Sequence, residues 1–470
     1  MNALNITGKT LITLGYPATA AITRARTIIA ERFTQDQEDM AIAGLQAVLQ
    51  SPETFLEHEM WGPLAALLIV PENKEIALTN NSSFVIYGND FIEAGARAQM
   101  QTAVRLPVAV AGALMPDAHQ GYGLPIGGVL ATNNAVIPYG VGVDIGCRMC
   151  LSIFDIPADH LETDAAIYKN ALIKHTKFGA GAGFHGQYKS DHAVLDNNNF
   201  KMNALTKRVQ DKAMVQLGTS GGGNHFVEWG IIEMLTADNE WNIPVGKYIA
   251  LLSHSGSRGM GAIIAGHYTK LAKEVCQLPK EAINLAYLDM HSQEGQEYWL
   301  AMNLAGDFAS ACHEVIHTKL TKAIGAQVLA RVENHHNFAW KEQLNGQEVI
   351  VHRKGATPAG EGVLGIIPGS MTAPGFLVRG KGNAASINSA SHGAGRQMSR
   401  TKAEQSFTTT EIETMLKDHG VTLIGGGLDE APGAYKDIHQ VMAAQAELVD
   451  TLAMFTPKIV RMADDGSKED

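Results

Sequence analysis

Residues Leu217–Glu228 read LGTSGGGNHFVE, and this stretch is the best guide to the fold. We predict a strand just before it, because Ala213–Leu217 is mostly apolar, and a tight loop within it, because glycine adopts backbone angles closed to other residues. The loop carries His225, whose imidazole is a common metal ligand. Together with this predicted strand, Gly218–Gly222 matches the GxSxG elbow of serine hydrolases, a weak signal in a chain with 48 glycines.

Most of the chain after about residue 82 alternates between short apolar runs and glycine-rich turns, which is typical of strands joined by loops. We predict strands at Val108–Ala113, Gly128–Ala131 and Val136–Pro138 and within residues 347–380. Helical spacing of apolar residues predicts helices in residues 262–332, at Thr410–His419 and at Tyr435–Leu452. These elements together predict a mixed α/β (α+β) fold.

The first 80 residues have a different pattern from the remainder. Helical apolar spacing covers Ala18–Phe33 and Thr54–Ile69, with a break at Gly62-Pro63, and Pro71-Glu72-Asn73 ends the pattern. We therefore predict a mostly helical N-terminal extension over residues 1–80 and a larger domain over residues 81–470.

The overall composition excludes several classes of protein. With 470 residues and 45% hydrophobic residues, the chain is neither collagen-like nor disordered, and four cysteines are too few for a disulfide scaffold. The net charge of −11 argues against a nucleic-acid binder, since such domains are usually basic. The segment His352–Lys402 departs from this average, because it holds seven basic residues and one acidic residue, Glu361, and this favours a local surface for an anionic ligand.

The cysteines and the N-terminus bear on the cellular compartment. We expect reduced cysteines, no signal peptide and no membrane-spanning segment, and hence a cytoplasmic protein that does not contact a membrane.

Five loops repeat one combination of residue types, in most cases a metal-ligating side chain among glycines. They are Gly142–Cys147, Gly223–Glu228, His254–Gly259, Asn334–Asn337 and Ser391–Arg396. Thiolate, imidazole and carboxylate together suit a borderline divalent ion such as zinc or manganese. Glycines also let backbone N–H groups approach a phosphate. The loops therefore predict a metal site next to a phosphate site.

A competing pattern is His313-Glu314-Val315-Ile316-His317, the HExxH sequence of zinc peptidases. On a helix both histidines share one face, and Glu314 can activate a metal-bound water. We keep a zinc metallopeptidase as an alternative hypothesis, although three specified residues are a weak signal in a chain with 18 histidines.

Longer motifs resemble the RtcB family of GTP-dependent RNA ligases from about residue 82 to residue 463. They are Met115–His119 (MPDAH), Val141–Cys147, Leu217–Glu228, His254–Gly259, His335–Asn337, His352–Ala356 (HRKGA), Ile367–Met371 (IPGSM), Ser391–Arg400 (SHGAGRQMSR) and Ala434–Asp437 (AYKD). The resemblance implies the family's own α/β fold, with layered sheets around a deep metal-containing cleft. It gives residues 81–470 the role of catalytic domain and leaves the N-terminal extension unexplained.

The resemblance also implies roles for individual residues. Two Mn²⁺ ions would be bound by Asp144, Cys147, His225, His254 and His336, with Cys147 shared between them. His392 would attack GTP and carry GMP as a covalent intermediate. The residues implied in contacts with the guanylate are Asn224, His225, Phe226, Val227, Glu228, Asn337, Pro368, Gly369, Ser370, Met371, His392, Gly393, Ala394, Gly395, Arg396, Tyr435 and Arg461.

The reaction implied by the resemblance joins an RNA 3′-phosphate or 2′,3′-cyclic phosphate to a 5′-hydroxyl end, in tRNA splicing or RNA repair. The partners would be GTP and broken RNA, with a possible activating protein. Three departures from the family pattern suggest a divergent member: Arg148 follows the metal-binding cysteine, Gly375 stands where a serine is common, and Arg461 replaces a C-terminal lysine. A non-catalytic homologue that binds metal and RNA is therefore a further alternative.

Overall fold

The computed structural model describes residues 3–17, 20–69 and 75–464. The chain divides into two compact units, Met1–Glu75 and Ile76–Asp470. Among the helices of the described residues, none combines the length and apolar character needed to cross a membrane.

The N-terminal unit is helical and has a core of its own. Its helices are α1 (Gly8–Thr13), α2 (Ala20–Arg32), α3 (Glu38–Gln50) and α4 (Gly62–Leu68). Leu11, Ile29, Leu45 and Trp61 are buried together. The break predicted at Gly62-Pro63 is where α4 begins, because proline has no N–H to leave unpaired in the first turn of a helix.

The larger unit alternates strands and helices. Its helices are α5 (Ala94–Val104), α6 (Pro138–Val141), α7 (His160–Thr163), α8 (Ala165–His175), α9 (Ala204–Gln216), α10 (Arg258–Val275), α11 (Gln293–Ile324), α12 (Arg400–Ser406), α13 (Thr409–Asp418) and α14 (Ile438–Ala443). Its strands are β1 (Val85–Ile86), β2 (Ala109–His119), β3 (Ile126–Thr132), β4 (Ala135–Val136), β5 (Arg148–Pro157), β6 (Phe226–Met234), β7 (Gly246–Ser255), β8 (Leu288–Asp289), β9 (Val328–His335), β10 (Phe338–Leu344), β11 (Gln347–Lys354), β12 (Ala356–Pro358), β13 (Leu364–Ile367), β14 (Gly375–Gly380), β15 (Ser389–Ser391), β16 (Thr422–Ile424) and β17 (Val449–Met462).

Two large sheets organise this unit. A five-stranded sheet has the order β1-β2-β3-β11-β10, and an eight-stranded sheet has the order β13-β14-β17-β6-β7-β5-β9 with β16 paired to β17. Helices α8 and α11 pack on one face of the eight-stranded sheet, where Leu172 and Ile316 meet Trp229. The mixed α/β class and the layered sheets predicted from the sequence are confirmed.

Two local predictions were wrong. Ala213–Leu217 is the end of helix α9 and not a strand, because Leu205, Val209 and Ala213 recur at helical spacing and are buried together. The helix predicted over Tyr435–Leu452 covers only Ile438–Ala443, since the chain from Val449 onward pairs with β14 and then with β6.

Candidate metal centre and active site

A cavity of about 440 Å³ is lined by residues of both large sheets and of the loops between them. Strands β6 and β7 present Phe226, Glu228 and His254 to it. Successive side chains of a strand point to opposite faces. The intervening Val227 and Ser253 therefore face the helices on the other side of the sheet. This alternation decides which residues can take part in chemistry in the cavity.

Five side chains predicted as metal ligands converge at the inner end of the cavity, and we call them the Cys147 cluster: Asp144, Cys147, His225, His254 and His336. Cys147 Sγ lies 3.3 Å from His225 Nε2 and 3.1 Å from His254 Nε2. His254 Nε2 lies 3.2 Å from His336 Nε2, and His225 Nε2 lies 3.1 Å from Asp144 Oδ2. All five residues are buried.

Hydrogen bonds orient this cluster from behind. His254 Nδ1–H donates to the Asn224 carbonyl at 3.2 Å, which leaves the Nε2 lone pair facing Cys147. Asp144 Oδ1 accepts from the Ser257 N–H at 3.1 Å. Such contacts fix the tautomer and direction of metal ligands.

The donor set fits a metal ion. His336 Nδ1 is buried without a hydrogen-bond partner, and several electron-rich atoms face each other at about van der Waals contact, an arrangement that a cation stabilises. Burial raises the pKa of Asp144, but the hydrogen bond and charge of His225 and the charge of Arg258 lower it to about 2. Burial and the neighbouring histidines hold the pKa of His254 well below its usual value. An ionised carboxylate and neutral imidazoles are the forms that bind metal.

His392, the predicted nucleophile, lies in the same cavity with a carboxylate behind it. Its Nδ1 is 2.7 Å from Asp117 Oδ2, which also accepts from the His392 backbone N–H at 3.2 Å. Burial raises the pKa of Asp117, but the hydrogen bond and charge of His392 outweigh this and lower it. The ionised carboxylate therefore holds the proton on Nδ1 and leaves the Nε2 lone pair available. The His392 and His336 ring centroids are 4.8 Å apart.

Asp117 belongs to the MPDAH motif, but the sequence predicted no role for it. A signal was present, because an acidic residue inside the otherwise apolar run Ala113–Ala118 is seldom buried without a partner. The partner, His392, is 275 positions away in the chain, and its distance from Asp117 is visible only in the structure.

Most residues predicted to contact the guanylate do line the cavity. They are Asn224, Phe226, Glu228, Asn337, Pro368, Gly369, Ser370, Met371, His392, Gly393, Ala394, Gly395, Arg396 and Tyr435. Burial raises the pKa of Glu228 well above its usual value, and the Tyr435 hydroxyl donates to Glu430. The lining of the cavity thus combines glycines and other small residues with polar side chains. Gly375, one of the departures from the family pattern, also lines it.

Three of the predicted contact residues do not line the cavity. His225 contacts Cys147 and Asp144 instead. Val227 is fully buried among apolar residues on the opposite face of β6. Arg461 Nη1 donates to the Leu172 carbonyl, and the guanidinium lies 5.6 Å from the Phe178 ring centroid. Val460 and Met462, its neighbours on β17, line the cavity instead, as strand alternation requires.

The basic residues of the segment His352–Lys402 do not form a single surface. Lys354, Arg396 and Arg400 line the cavity. Arg353 is buried against Glu342 at 2.5 Å, and Arg379 and Lys381 pair with acidic residues brought from elsewhere in the chain. The predicted local surface for an anionic ligand therefore comes down to Lys354, Arg396 and Arg400, because Arg353, Arg379 and Lys381 are paired elsewhere within the fold.

Arg148, the departure next to the metal-binding cysteine, points away from the cavity. Its guanidinium pairs with Glu333 and donates to the Gly306 carbonyl at 2.7 Å. It forms a buried structural ion pair, so this departure from the family pattern does not direct a cation into the cavity.

The HExxH residues lie on α11, beneath the eight-stranded sheet. Cys150, His313 and His317 offer ligand atoms within 4.8 Å of one another, and we call them the Cys150 cluster. Glu314 is on another side of the helix, where its largely exposed carboxylate lies 3.2 Å from His192. A zincin mechanism needs the glutamate beside the metal-binding histidines. In this structure the Glu314 carboxylate does not lie beside His313 and His317.

The chain is similar to known RNA ligases over most of its length. A family model described as tRNA-splicing ligase RtcB matches residues 99–463. The RNA-splicing ligase RtcB of Escherichia coli (strain K12) is 35% identical over 418 residues, which cover 81% of this chain and 97% of that protein. The tRNA-splicing ligase RtcB of Nanoarchaeum equitans is 32% identical, over 71% of this chain and 84% of that protein. The matched residues include the Cys147 cluster and His392.

Proposed function

The chain belongs to the RtcB family of tRNA-splicing ligases, and we propose that it is a GTP-dependent RNA ligase that uses His392 as nucleophile. The observation that carries this proposal is the contact between His392 Nδ1 and the buried Asp117 carboxylate, in the cavity that holds the Cys147 cluster. An imidazole whose Nδ1–H is held by a carboxylate has Nε2 free to attack.

The first proposed step forms a bond between His392 Nε2 and the α-phosphorus of GTP, while the bond to pyrophosphate breaks and pyrophosphate leaves. The positive charge that develops on the ring is stabilised by Asp117. Because a P–N bond to imidazole is labile, GMP can then pass to an oxygen of an RNA 3′-phosphate, and His392 regains its lone pair. The oxygen of an RNA 5′-hydroxyl then attacks the phosphorus of the activated RNA 3′-phosphate and releases its proton. GMP leaves from that phosphorus with the bonding electrons.

We propose two Mn²⁺ ions held by Asp144, Cys147, His225, His254 and His336, with Cys147 shared. Bound there, they would offset the negative charge that accumulates on the phosphoryl oxygens. The backbone N–H groups of Gly369, Gly393 and Gly395, three residues that line the cavity, would donate hydrogen bonds to the phosphates. The orientation of Arg461 does not support its assignment as a guanylate contact, so nucleotide preference would rest on residues such as Glu228.

The tRNA-splicing and repair roles share this chemistry, and broken RNA is the proposed substrate in both. A cytoplasmic location stays a prediction, as do an activating protein partner and the boundary of the N-terminal extension. The zinc-peptidase hypothesis is not favoured, because Glu314 and the Cys150 cluster do not face a common space.

The test is covalent labelling with GTP that carries a radioactive α-phosphate, in the presence of manganese. We expect the wild-type protein to retain label after denaturation and His392→Ala to retain none. His419→Ala is a matched control, because His419 is exposed and its Nδ1 contacts only the Met415 carbonyl of its own helix. Label that persists on His392→Ala would exclude His392 as the nucleophile. Binding of metal and RNA by wild type without any label would favour the non-catalytic homologue.

A further inference from the structure

Two tyrosines at the mouth of the cavity have no role in the steps proposed above. Tyr122 lies between β2 and β3 and is 70% exposed, although it also lines the cavity. Its ring stacks on Tyr139 of α6, with centroids 6.3 Å apart and an angle of 27° between the planes. One face of a large aromatic ring is thus supported by the protein while the remainder of the ring meets solvent.

The backbone that carries Tyr122 is held from several directions. Lys354 Nζ donates to the Tyr122 carbonyl at 2.5 Å, and Gln99 bonds both the N–H and the carbonyl of Gly121. Gly123 has a positive φ of 71° and lies so close to the Asn284 carbonyl that a Cβ would be 2.7 Å from it. A side chain in that position would be strained, so glycine lets the loop pack closely against the Asn284 carbonyl. Because hydrogen bonds hold the backbone around Tyr122, a ligand that binds its exposed ring costs the protein little conformational entropy.

Positive charge accompanies the ring pair. The ammonium groups of Lys354 and Lys273 lie 5.0 Å and 5.7 Å from the Tyr139 ring centroid. Aromatic rings next to cationic groups are the combination that binds single-stranded nucleic acid, because every base has a face to stack and every nucleotide a phosphate.

The pair is also close to the proposed nucleophile. Gly355, which follows Lys354 in the chain, lies against His392, since a Cβ built on it would be 3.2 Å from His392 Cε1. Lys354 therefore binds the Tyr122 carbonyl, while Gly355, the next residue in the chain, packs against His392.

From this geometry we propose that Tyr122, supported by Tyr139, is a stacking platform for the base of the nucleotide that carries the reacting 3′-phosphate. This inference rests on the proposed function and extends it, by assigning the binding site for the RNA end. Stacking does not read hydrogen-bonding groups, so the platform accepts any of the four bases.

The test compares RNA binding by Tyr122→Ala, Tyr122→Phe and Tyr188→Ala with wild type. The probe is a fluorescent RNA oligonucleotide with a 3′-phosphate, either intact or abasic at its last nucleotide, and the readout is Kd from anisotropy. Tyr188 is the matched control, because it is 69% exposed but does not line the cavity. Thermal unfolding of each variant excludes loss of fold.

We expect Tyr122→Ala to weaken binding of intact RNA by about 5- to 100-fold. Tyr122→Phe keeps the ring and should stay within about twofold, and Tyr188→Ala should match wild type. The abasic RNA should bind wild type and Tyr122→Ala equally weakly, because the base that would stack is missing.

Two outcomes would overturn the platform. Unchanged binding of intact RNA by Tyr122→Ala would mean that the exposed ring serves another class of partner, such as a protein. An equal loss for intact and abasic RNA would mean that the ring only supports the loop. Failure of the proposed function is distinguishable, since it appears as absence of labelled GMP on wild type, whereas the Kd comparison does not require that step.

Discussion

The Cys147 and Cys150 clusters each contain one cysteine and at least two histidines, and they lie on opposite faces of one sheet. Cys147 precedes β5 and Cys150 lies within it, while β7 presents His254 to one cluster and Ser253 to the other. Both clusters are buried, and both bring a thiol and two imidazoles within 4.8 Å. A buried thiol with two imidazoles is therefore common to both clusters, although only the Cys147 cluster adds the Asp144 carboxylate and a third imidazole.

The difference lies in the hydrogen bonds of the ring nitrogens. In the Cys150 cluster, His313 Nε2 lies 3.2 Å from the Ser255 carbonyl. Because a carbonyl oxygen can only accept, His313 Nε2 carries the proton and donates. In the neutral ring Nδ1 must then accept from Ser253 Oγ at 2.7 Å, and Ser253 Oγ accepts from His317 Nε2–H at 2.8 Å. Ser152 completes the chain by donating to His317 Nδ1 at 2.8 Å. Every nitrogen has a partner.

The Cys147 cluster lacks this saturation. His336 Nδ1 has no hydrogen-bond partner, and the residues open on a cavity large enough for a ligand. From this difference we infer that the Cys147 cluster, with a buried unpaired nitrogen next to a cavity, is the metal site, and that the Cys150 cluster, with its closed hydrogen-bond chain, is structural.

The sharpest test of this contrast substitutes one cysteine at a time. We expect Cys147→Ala to lower ligation by about 100-fold or more, because loss of a direct ligand exceeds the 10- to 100-fold cost of losing its supporting contacts. Cys150→Ala should keep near wild-type activity. Ligation rates and bound manganese after dialysis measure both variants. Equal losses in the two variants would refute the distinction.

Stability should respond in the opposite order. His313→Ala removes the acceptor and donor that satisfy Ser253 and Ser255, so we expect the free energy of unfolding to fall by about 1–3 kcal/mol. His336→Ala should cost less in chelator-treated protein, since it loses the contact between His336 Nε2 and His254 Nε2, whereas His313→Ala loses hydrogen bonds at both ring nitrogens. Urea unfolding of both variants gives the comparison. A larger loss in His336→Ala would contradict it.

The pH dependence of stability should also involve the Cys150 cluster. Burial lowers the pKa of His313 to about 4, while an unfolded histidine has a pKa of about 6.5. Between these values the unfolded chain binds the proton more readily, so stability is present above pH 6.5 and is lost as the pH falls towards 4. In His313→Gln the free energy of unfolding should therefore fall less steeply with decreasing pH, by at most about 1.4 kcal/mol per pH unit. Parallel pH curves for the two proteins, with metal removed, would contradict the assignment.

The smallest effect is expected at Glu314. Its carboxylate is largely exposed and contacts His192, so Glu314→Gln should change the free energy of unfolding by less than about 0.5 kcal/mol and leave ligation intact. Unfolding and ligation assays check this together. A loss of activity above tenfold would revive a role for the HExxH segment.

The sequence by itself predicted the mixed α/β class, the family and the residues that form the Cys147 cluster. The family and these residues came from the resemblance to RtcB motifs, which are contiguous stretches of sequence and can be recognised without knowledge of the fold. The same reasoning misread Ala213–Leu217 as a strand, since five apolar-rich residues are too few to separate the two periodicities.

Tertiary structure decided which of those residues meet. Strand alternation turned Val227 and Arg461 away from the cavity, the ion pair with Glu333 held Arg148 within the core, and Asp117 was brought to His392 from 275 positions away. Hydrogen bonds then closed the Cys150 cluster and left the Cys147 cluster with an unpaired donor. The physical reason is that residue type sets what a side chain can bind, whereas its partners across the fold decide whether that capacity is already used.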